Sequence, residues 1–319
     1  MSQTMNIALI GQGFMGKAHS NAWSQVQKFF NLPSKIVMHT VCGTIEENTL
    51  AFAKRWGWCN ATNNWEDVVC NPDIDLIDIV TPNFLHYPIA KASLENNKYC
   101  ACEKPLALNL HQAKELADLS QTKNLKTFVW FNYRRCPAIG LAYRLVREDK
   151  IGEIRHIRAM YLQDWADENI PFVWRFDKSL AGSGAHGDLN AHIIDMTRFV
   201  SGLDITEISG ALAHTFITKR KDPNSPNNMH DVNVDDALLF LVRFNNGAIG
   251  SYEAARQAIG NQNRNTFEIN GTKGSIRFDF ERMNELEFYD ATLPRSQQGW
   301  TKIMCTHAKD HPYVENWWP

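Results

Sequence analysis

The sequence predicts an α/β protein, with a doubly wound parallel sheet in its first part and an α+β domain built on antiparallel-type strands in its second. Over residues 6–131, short apolar runs alternate with amphipathic segments, the pattern of buried parallel strands covered by helices on both faces. The string Gly11-Gln-Gly13-Phe-Met-Gly16 lies where the first strand turns into the first helix. Beyond Gly152 the rhythm changes to longer alternating segments, joined by Asn-Gly strings that suit hairpin turns.

Apolar runs place strands at 6–10, 36–42, 76–80, 99–102 and 127–131, and amphipathic spacing places helices at 15–30, 46–56, 86–96 and 111–121. A further helix is expected at 137–148. Antiparallel-type strands follow at 154–162, 207–217, 237–244, 248–256, 265–269, 275–280 and 285–289. Asn245-Asn246-Gly247 and Asn270-Gly271-Thr272-Lys273-Gly274 are expected as turns that need residues tolerant of positive φ. One helix interrupts the strands at 188–200, with Ile193, Met196 and Phe199 as its apolar face, and 222–228 reads as a polar, proline-bearing loop. The domain boundary is expected at 131/132, with 1–131 binding a dinucleotide and 132–319 serving substrate binding and oligomerisation.

Composition limits the function classes. The 319 residues exceed the roughly 100–200 of a usual single core, and 44% hydrophobic with 21% charged residues is ordinary for a globular chain. A formal net charge of −2 provides no basic field for non-specific binding of nucleic acid or an anionic membrane, so a small molecule is the expected partner. Seven cysteines, an odd number without a Cys-x-x-Cys pair, argue against a disulfide framework or a structural zinc site and suit a reducing compartment. The N-terminus has no charged segment followed by an apolar one, and no apolar stretch approaches the roughly 18 residues of a membrane span. A cytoplasmic location is expected.

The glycine string is informative because of its strand-to-helix context. Gly11 allows a tight turn, Gly13 lets a pyrophosphate approach the backbone, and Gly16 lets helix and strand pack closely, while free N–H groups at the helix start bind the anion. The second strand runs out through Cys42-Gly43-Thr44, with neither the carboxylate that favours NAD nor an arginine that favours a 2′-phosphate. NAD and NADP both remain open. Cys102-Glu103-Lys104-Pro105 then puts a charged pair at the carboxyl edge of the sheet, where open α/β folds bind ligands.

Together with Thr81-Pro82-Asn83, His86 and Gly187-Asp188-Leu-Asn190-Ala-His192, these strings resemble the Gfo/Idh/MocA oxidoreductase family from the first strand to about Gly274. Within it the chain is most similar to the levoglucosan and glucoside 3-dehydrogenase branch, through Gly13-Phe-Met-Gly-Lys-Ala-His19, Phe131-Asn-Tyr-Arg-Arg135, Tyr161-Leu-Gln-Asp-Trp165, Trp174-Arg-Phe176 and His311-Pro-Tyr313. The resemblance implies an N-terminal Rossmann domain, a C-terminal domain on an open, mostly antiparallel sheet, and nicotinamide-dependent oxidation of a sugar or polyol hydroxyl. It implies cofactor contacts at Gly11, Gly13, Phe14, Met15, Gly16, Gly43, Thr44, Thr81, Asn83, His86, Glu103 and Lys104. It implies substrate contacts at Tyr133, Arg134, Tyr161, Gln163, Trp165, Arg175, Asp188 and His192. Asn190 departs from the family's frequent glycine there, and His186 from its small apolar residue.

Hydride transfer from a secondary alcohol needs a base for the hydroxyl proton and polar groups around the developing alkoxide. Lys104, Asp188 and His192 are the catalytic candidates. Asp188 and His192 are four residues apart, so on one helix they share a face, and the carboxylate can orient the imidazole. His192 is the expected base, with Asp188 holding the substrate hydroxyl and Lys104 polarising the reacting oxygen; a desolvated Lys104 is the alternative base. His186, Asp188 and His192 offer too few ligands for a metal, and none is expected. Oxidation at C3 of a glucoside or anhydrosugar is the sharpest reading; an NAD-dependent glycosidase using transient oxidation and elimination, and a non-catalytic sugar or cofactor sensor, are its rivals. A homodimer or tetramer is expected. Relatives in this branch continue past His311-Pro-Tyr313 with a further helical segment, which raises truncation at Pro319 as an expectation.

Overall fold

The apolar runs of the first part form a parallel sheet because each is buried on both faces. In the computed structural model, which describes residues 3–225, 227–308 and 314–315, the elements of this part are β1 (Gln3–Ile10), α1 (Phe14–Phe29), β2 (Ser34–Cys42), α2 (Glu46–Trp56), β3 (Asn60–Thr62), α3 (Trp65–Cys70), β4 (Leu76–Ile79), α4 (His86–Glu95), β5 (Tyr99–Cys102), α5 (Leu110–Thr122) and β6 (Thr127–Val129). The sheet order is β3-β2-β1-β4-β5-β6 with every pair parallel, the order of the dinucleotide-binding Rossmann fold. Central β1 shows why alternation is missing: Ile7, Ala8 and Leu9 are fully buried on both sides. The chain divides into two compact units, Met1–Trp130 with Ser179–Gly182, and Phe131–Lys178 with Ser183–Pro319.

The second unit contains α6 (Pro137–Arg147), β7 (Ile154–Leu162), the start of the short α7 (Lys178–Ala181), α8 (Ala191–Ser201), β8 (Ile205–His214), β9 (Lys219–Lys221), β10 (Met229–Asp231), β11 (Ala237–Phe244), β12 (Ile249–Ala255), β13 (Arg264–Gly271), β14 (Gly274–Asp279), β15 (Glu285–Asp290) and β16 (Trp300–Met304). Eight strands form an open sheet, β16-β15-β14-β13-β7-β12-β11-β8, antiparallel except for the β7–β12 pair. Its inner face, including Ile157, Ala159, Tyr252, Phe267 and Ile276, packs with Ala138, Ile139 and Ala142 of α6 and Ile193, Met196 and Val200 of α8. One face is thus dry and the other open, which is why these strands alternate and those of the first unit do not.

Several expectations change. Strands β3, β16 and the β9–β10 hairpin, and helix α3, were not foreseen; 222–228 is the connection inside that hairpin. The run at 207–217 stops as a strand at His214, that at 76–80 at Ile79, and that at 127–131 at Val129. Gly247 has φ +87° as its turn requires, but Gly271 and Gly274 do not adopt positive φ. Backbone crowding explains those two: a Cβ would stand 2.2 Å from Ile151 O at Gly271 and 2.7 Å from Tyr289 O at Gly274. The helix expected at 188–200 has two pieces, a π-helical turn at His186–Asn190 and then α8. Asp235 sets the entry to that turn by accepting from Gly184 N at 2.7 Å and His186 N at 2.8 Å.

Candidate active site

In the first unit, candidate cofactor residues grow out of the β1–α1 turn. Gly11 has φ +115°, and a Cβ there would lie 2.7 Å from Val80 O, so only glycine fits. A Cβ on Gly16 would stand 2.5 Å from Gly11 O, which keeps α1 tight against the turn. Gly13, at the α1 N-cap, has nothing within 4 Å of a Cβ, leaving an open cradle before the unpaired N–H groups of the first helical turn. Phe14 is exposed here and Met15 packs on the core. At the end of β2, a Cβ on Gly43 would meet Gln12 Cδ at 2.5 Å, and Thr44 beyond it is exposed. The Oγ1 of Thr81 and the Oε1 of Gln12 are buried with no hydrogen-bond partner. Open cradle, helix start and orphaned polar atoms together suit a dinucleotide, which Gly11, Gly13, Gly16, Thr44 and Thr81 would hold.

Three of the expected cofactor contacts also have partners inside the protein. His86 is buried, with Nε2 2.9 Å from Thr81 O and Nδ1 2.7 Å from Pro105 O, so it ties the Thr81 loop to the Lys104–Pro105 turn, whose peptide bond is cis. Burial, only partly opposed by those carbonyls, lowers its pKa. The Asn83 amide donates to Ala181 O at 3.0 Å. Glu103 is likewise engaged: Oε1 is 3.1 Å from His19 Nε2, and Oε2 accepts from Lys104 N at 3.1 Å. His19, Asp78, Trp23 and Trp130 around it were not identified from the sequence as site residues. The signals were an aspartate inside the apolar run Leu76-Ile-Asp-Ile and a histidine at the end of the Gly13-to-His19 string.

In the second unit, a cluster is centred on His192, buried at the start of α8. Its ring lies 4.5 Å from that of Tyr133, 5.9 Å from Tyr161 and 6.2 Å from Phe131, centroid to centroid. Tyr133 and Tyr161 share a hydrogen bond of 2.7 Å; Tyr161 donates to Asn263 Oδ1 at 2.6 Å, and Gln163 donates to both. Asn263 is a further residue that sequence reasoning missed, since nothing in its local string marks it. Burial pushes both phenols up, keeping them neutral hydrogen-bonding groups. Asp188 sits on the π-helical turn, so it and His192 straddle a π/α junction rather than occupying one regular face, as sequence spacing implied. Such insertions recur at functional sites because they re-aim side chains.

The remaining substrate candidates divide. Arg134 forms a two-pronged pair with Asp195 and lies over the Phe199 ring at 5.0 Å, a structural engagement that the sequence did not foretell. Trp165 lies against Phe176 and the buried guanidinium of Arg256, 5.5 Å from its ring. Arg175 is exposed over Trp174 at 4.4 Å. His311-Pro-Tyr313, Trp317 and Trp318 lie outside the described residues. Among the described residues, no three His, Cys, Asp or Glu side chains converge as a metal site, and no helix is long and apolar enough to cross a membrane.

Comparison with known proteins bears on both units. Residues 5–131 match a sequence model described as an oxidoreductase family with an NAD-binding Rossmann fold, and residues 140–277 match the GFO/IDH/MocA C-terminal domain. The levoglucosan dehydrogenase of Pseudarthrobacter phenanthrenivorans is 41% identical across 99% of this chain and 84% of its own. An oxidoreductase domain protein from Kribbella flavida superposes with a TM-score of 0.95 at 44% identity, covering 99% of this chain and 84% of that one. A levoglucosan dehydrogenase in complex with NADH and levoglucosan does so with a TM-score of 0.93 at 43% identity and the same coverage.

Proposed function

Because this chain belongs to the Gfo/Idh/MocA family of oxidoreductases, with an NAD-binding Rossmann unit and a family C-terminal domain, we propose that it oxidises the C3 hydroxyl of an anhydrosugar or glucoside, levoglucosan foremost. The observation that carries this reading is the buried His192, ringed by Tyr133 and Tyr161 and linked through them to Asn263 and Gln163. An imidazole held by aromatic faces beside neutral phenols suits a ligand with apolar C–H faces and many hydroxyls. The likeness to a levoglucosan dehydrogenase across nearly the whole chain supports the choice of sugar.

When bound, the nicotinamide supplies a hydride acceptor. In this reading His192 takes the hydroxyl proton as the C3–H bond breaks and the oxygen electron pair closes the carbonyl. Asp188 holds the neighbouring hydroxyl, and Lys104 donates to the reacting oxygen as negative charge builds on it. Tyr133 and Tyr161 hold the imidazole in place and keep bulk water from it. We propose a homo-oligomer formed through the outer face of the large sheet, where Leu212, Leu239, Leu241 and Ile249 are exposed, and a cytoplasmic setting in keeping with seven free thiols.

The deciding experiment incubates the protein with NAD or NADP and, in parallel, levoglucosan, glucosides, inositols and free sugars, following reduced cofactor and aglycone release. Reduced NAD with a 3-keto product from levoglucosan or a glucoside supports the proposal. Aglycone release without net reduction would identify a glycosidase, and cofactor binding without turnover of any sugar a sensor.

A further inference from the structure

Behind the Lys104 turn lies a charged cluster that the reaction as described does not use. His19 on α1 is 9% exposed, Asp78 on β4 is 0% exposed, and Glu103 after β5 is 9% exposed. The imidazole bridges the two carboxylates: Nδ1 is 2.9 Å from Asp78 Oδ2, and Nε2 is 3.1 Å from Glu103 Oε1. Asp78 also accepts from the indole of Trp23 at 2.7 Å and from that of Trp130 at 2.9 Å. A neutral imidazole has one N–H and satisfies one carboxylate, whereas the imidazolium satisfies both. Two carboxylates held this deeply without a counter-ion would be costly, so a fixed charge between them has a physical reason to exist.

We propose that His19, Asp78 and Glu103 form a charged clasp that positions the Glu103-Lys104 turn for catalysis, His19 acting through Glu103 and Glu103 through the Lys104 backbone N–H. This rests on the reading of Lys104 as an active residue. Glu103 is then a positioning residue whose two oxygens are held from opposite sides, by His19 on Oε1 and by the Lys104 N–H on Oε2. Burial acts to lower the His19 pKa, but the hydrogen bonds and charges of Asp78 and Glu103 outweigh it and hold the imidazole at about 9. The other titratable groups sensing these carboxylates include His86 on α4, whose pKa burial lowers although Glu103 acts to raise it, and the thiols of Cys100 and Cys102 on β5, which burial keeps protonated, Cys100 at about 12.

The test combines NMR of ring-labelled histidine with steady-state kinetics from pH 6 to 10 on the wild type, His19→Gln and Glu103→Gln, using levoglucosan and NAD. His19 is expected to remain an imidazolium through pH 8 and to lose its proton near 9, and Glu103→Gln should lower that midpoint. In both variants kcat should fall by about tenfold to a hundredfold, the scale of a misplaced catalytic group, while KM for NAD changes less than about threefold. A kcat inflection near pH 9 in the wild type should vanish in His19→Gln. A His19 that is neutral at pH 7 overturns the proposal, as does a folded His19→Gln protein with wild-type kcat and pH profile. If His19→Gln does not fold, Glu103→Gln and the wild-type histidine titration decide. An inactive wild type defeats the functional reading alone, because the titration still judges the clasp.

Discussion

Replacing His192 or Lys104 by alanine should lower kcat by about 10²- to 10⁴-fold, the usual contribution of a general base or a donor to developing charge. A loss below about tenfold in both would remove them from the chemistry, provided circular dichroism shows each variant folded. His19 adds a stability prediction whose sign follows from its raised pKa. The charged form is favoured in the folded state, so its contribution is complete below the ordinary value of 6.5 and fades as pH rises through about 9. Thermal melting should therefore show the wild type losing stability between pH 7 and 10 relative to His19→Gln. At this scale the sequence singled out Lys104 and Asp188 only in combination, because a charged pair before a proline or an aspartate at a helix start each has an ordinary structural explanation on its own. It missed Asp78, whose partners come from α1 and from Trp130 just after β6 and leave no local trace. It also missed the pairing of Arg134 with Asp195, which spans 61 positions of sequence.

Glycines of the β1–α1 turn differ in what they do, and that difference is measurable. Gly13 has open space where a Cβ would go, so Gly13→Ala should fold with an unchanged melting temperature yet bind NAD at least about tenfold more weakly, a loss near 1.4 kcal/mol. Gly11→Ala should instead destabilise the protein, because its φ of +115° and the Val80 carbonyl 2.7 Å away both exclude a side chain. Calorimetric titration with NAD alongside thermal melting separates the two. Elements with long apolar runs were legible to within a few residues, β5, β7 and β11 to the residue. The short β3 and the β9–β10 hairpin were not, because three-residue strands are held by pairing with neighbours rather than by an apolar pattern of their own. The π-helical turn at His186–Asn190 escaped for a related reason: the backbone is clamped by Asp235, 49 residues away from His186.

For the whole molecule, the division into two units falls after Trp130, and the return of Ser179–Gly182 to the first unit left no trace in the sequence, since four residues carry no compositional signal. The outer face of the large sheet provides the prediction at this scale. Leu212 and Leu239 are paired across β8 and β11 and are both exposed, 78% and 43%, so Leu212→Glu with Leu239→Glu should shift sedimentation from oligomer to monomer with little effect on melting. A wild type that sediments as a monomer would remove that proposal. Direct hydride transfer from C3 of the sugar to NAD can be followed with levoglucosan carrying deuterium at C3. Mass spectrometry of the reduced cofactor should find one deuterium per NADH formed, with a 3-keto sugar as its partner. NADH formed without the label, or deuterium retained in the sugar while NADH accumulates, would contradict it.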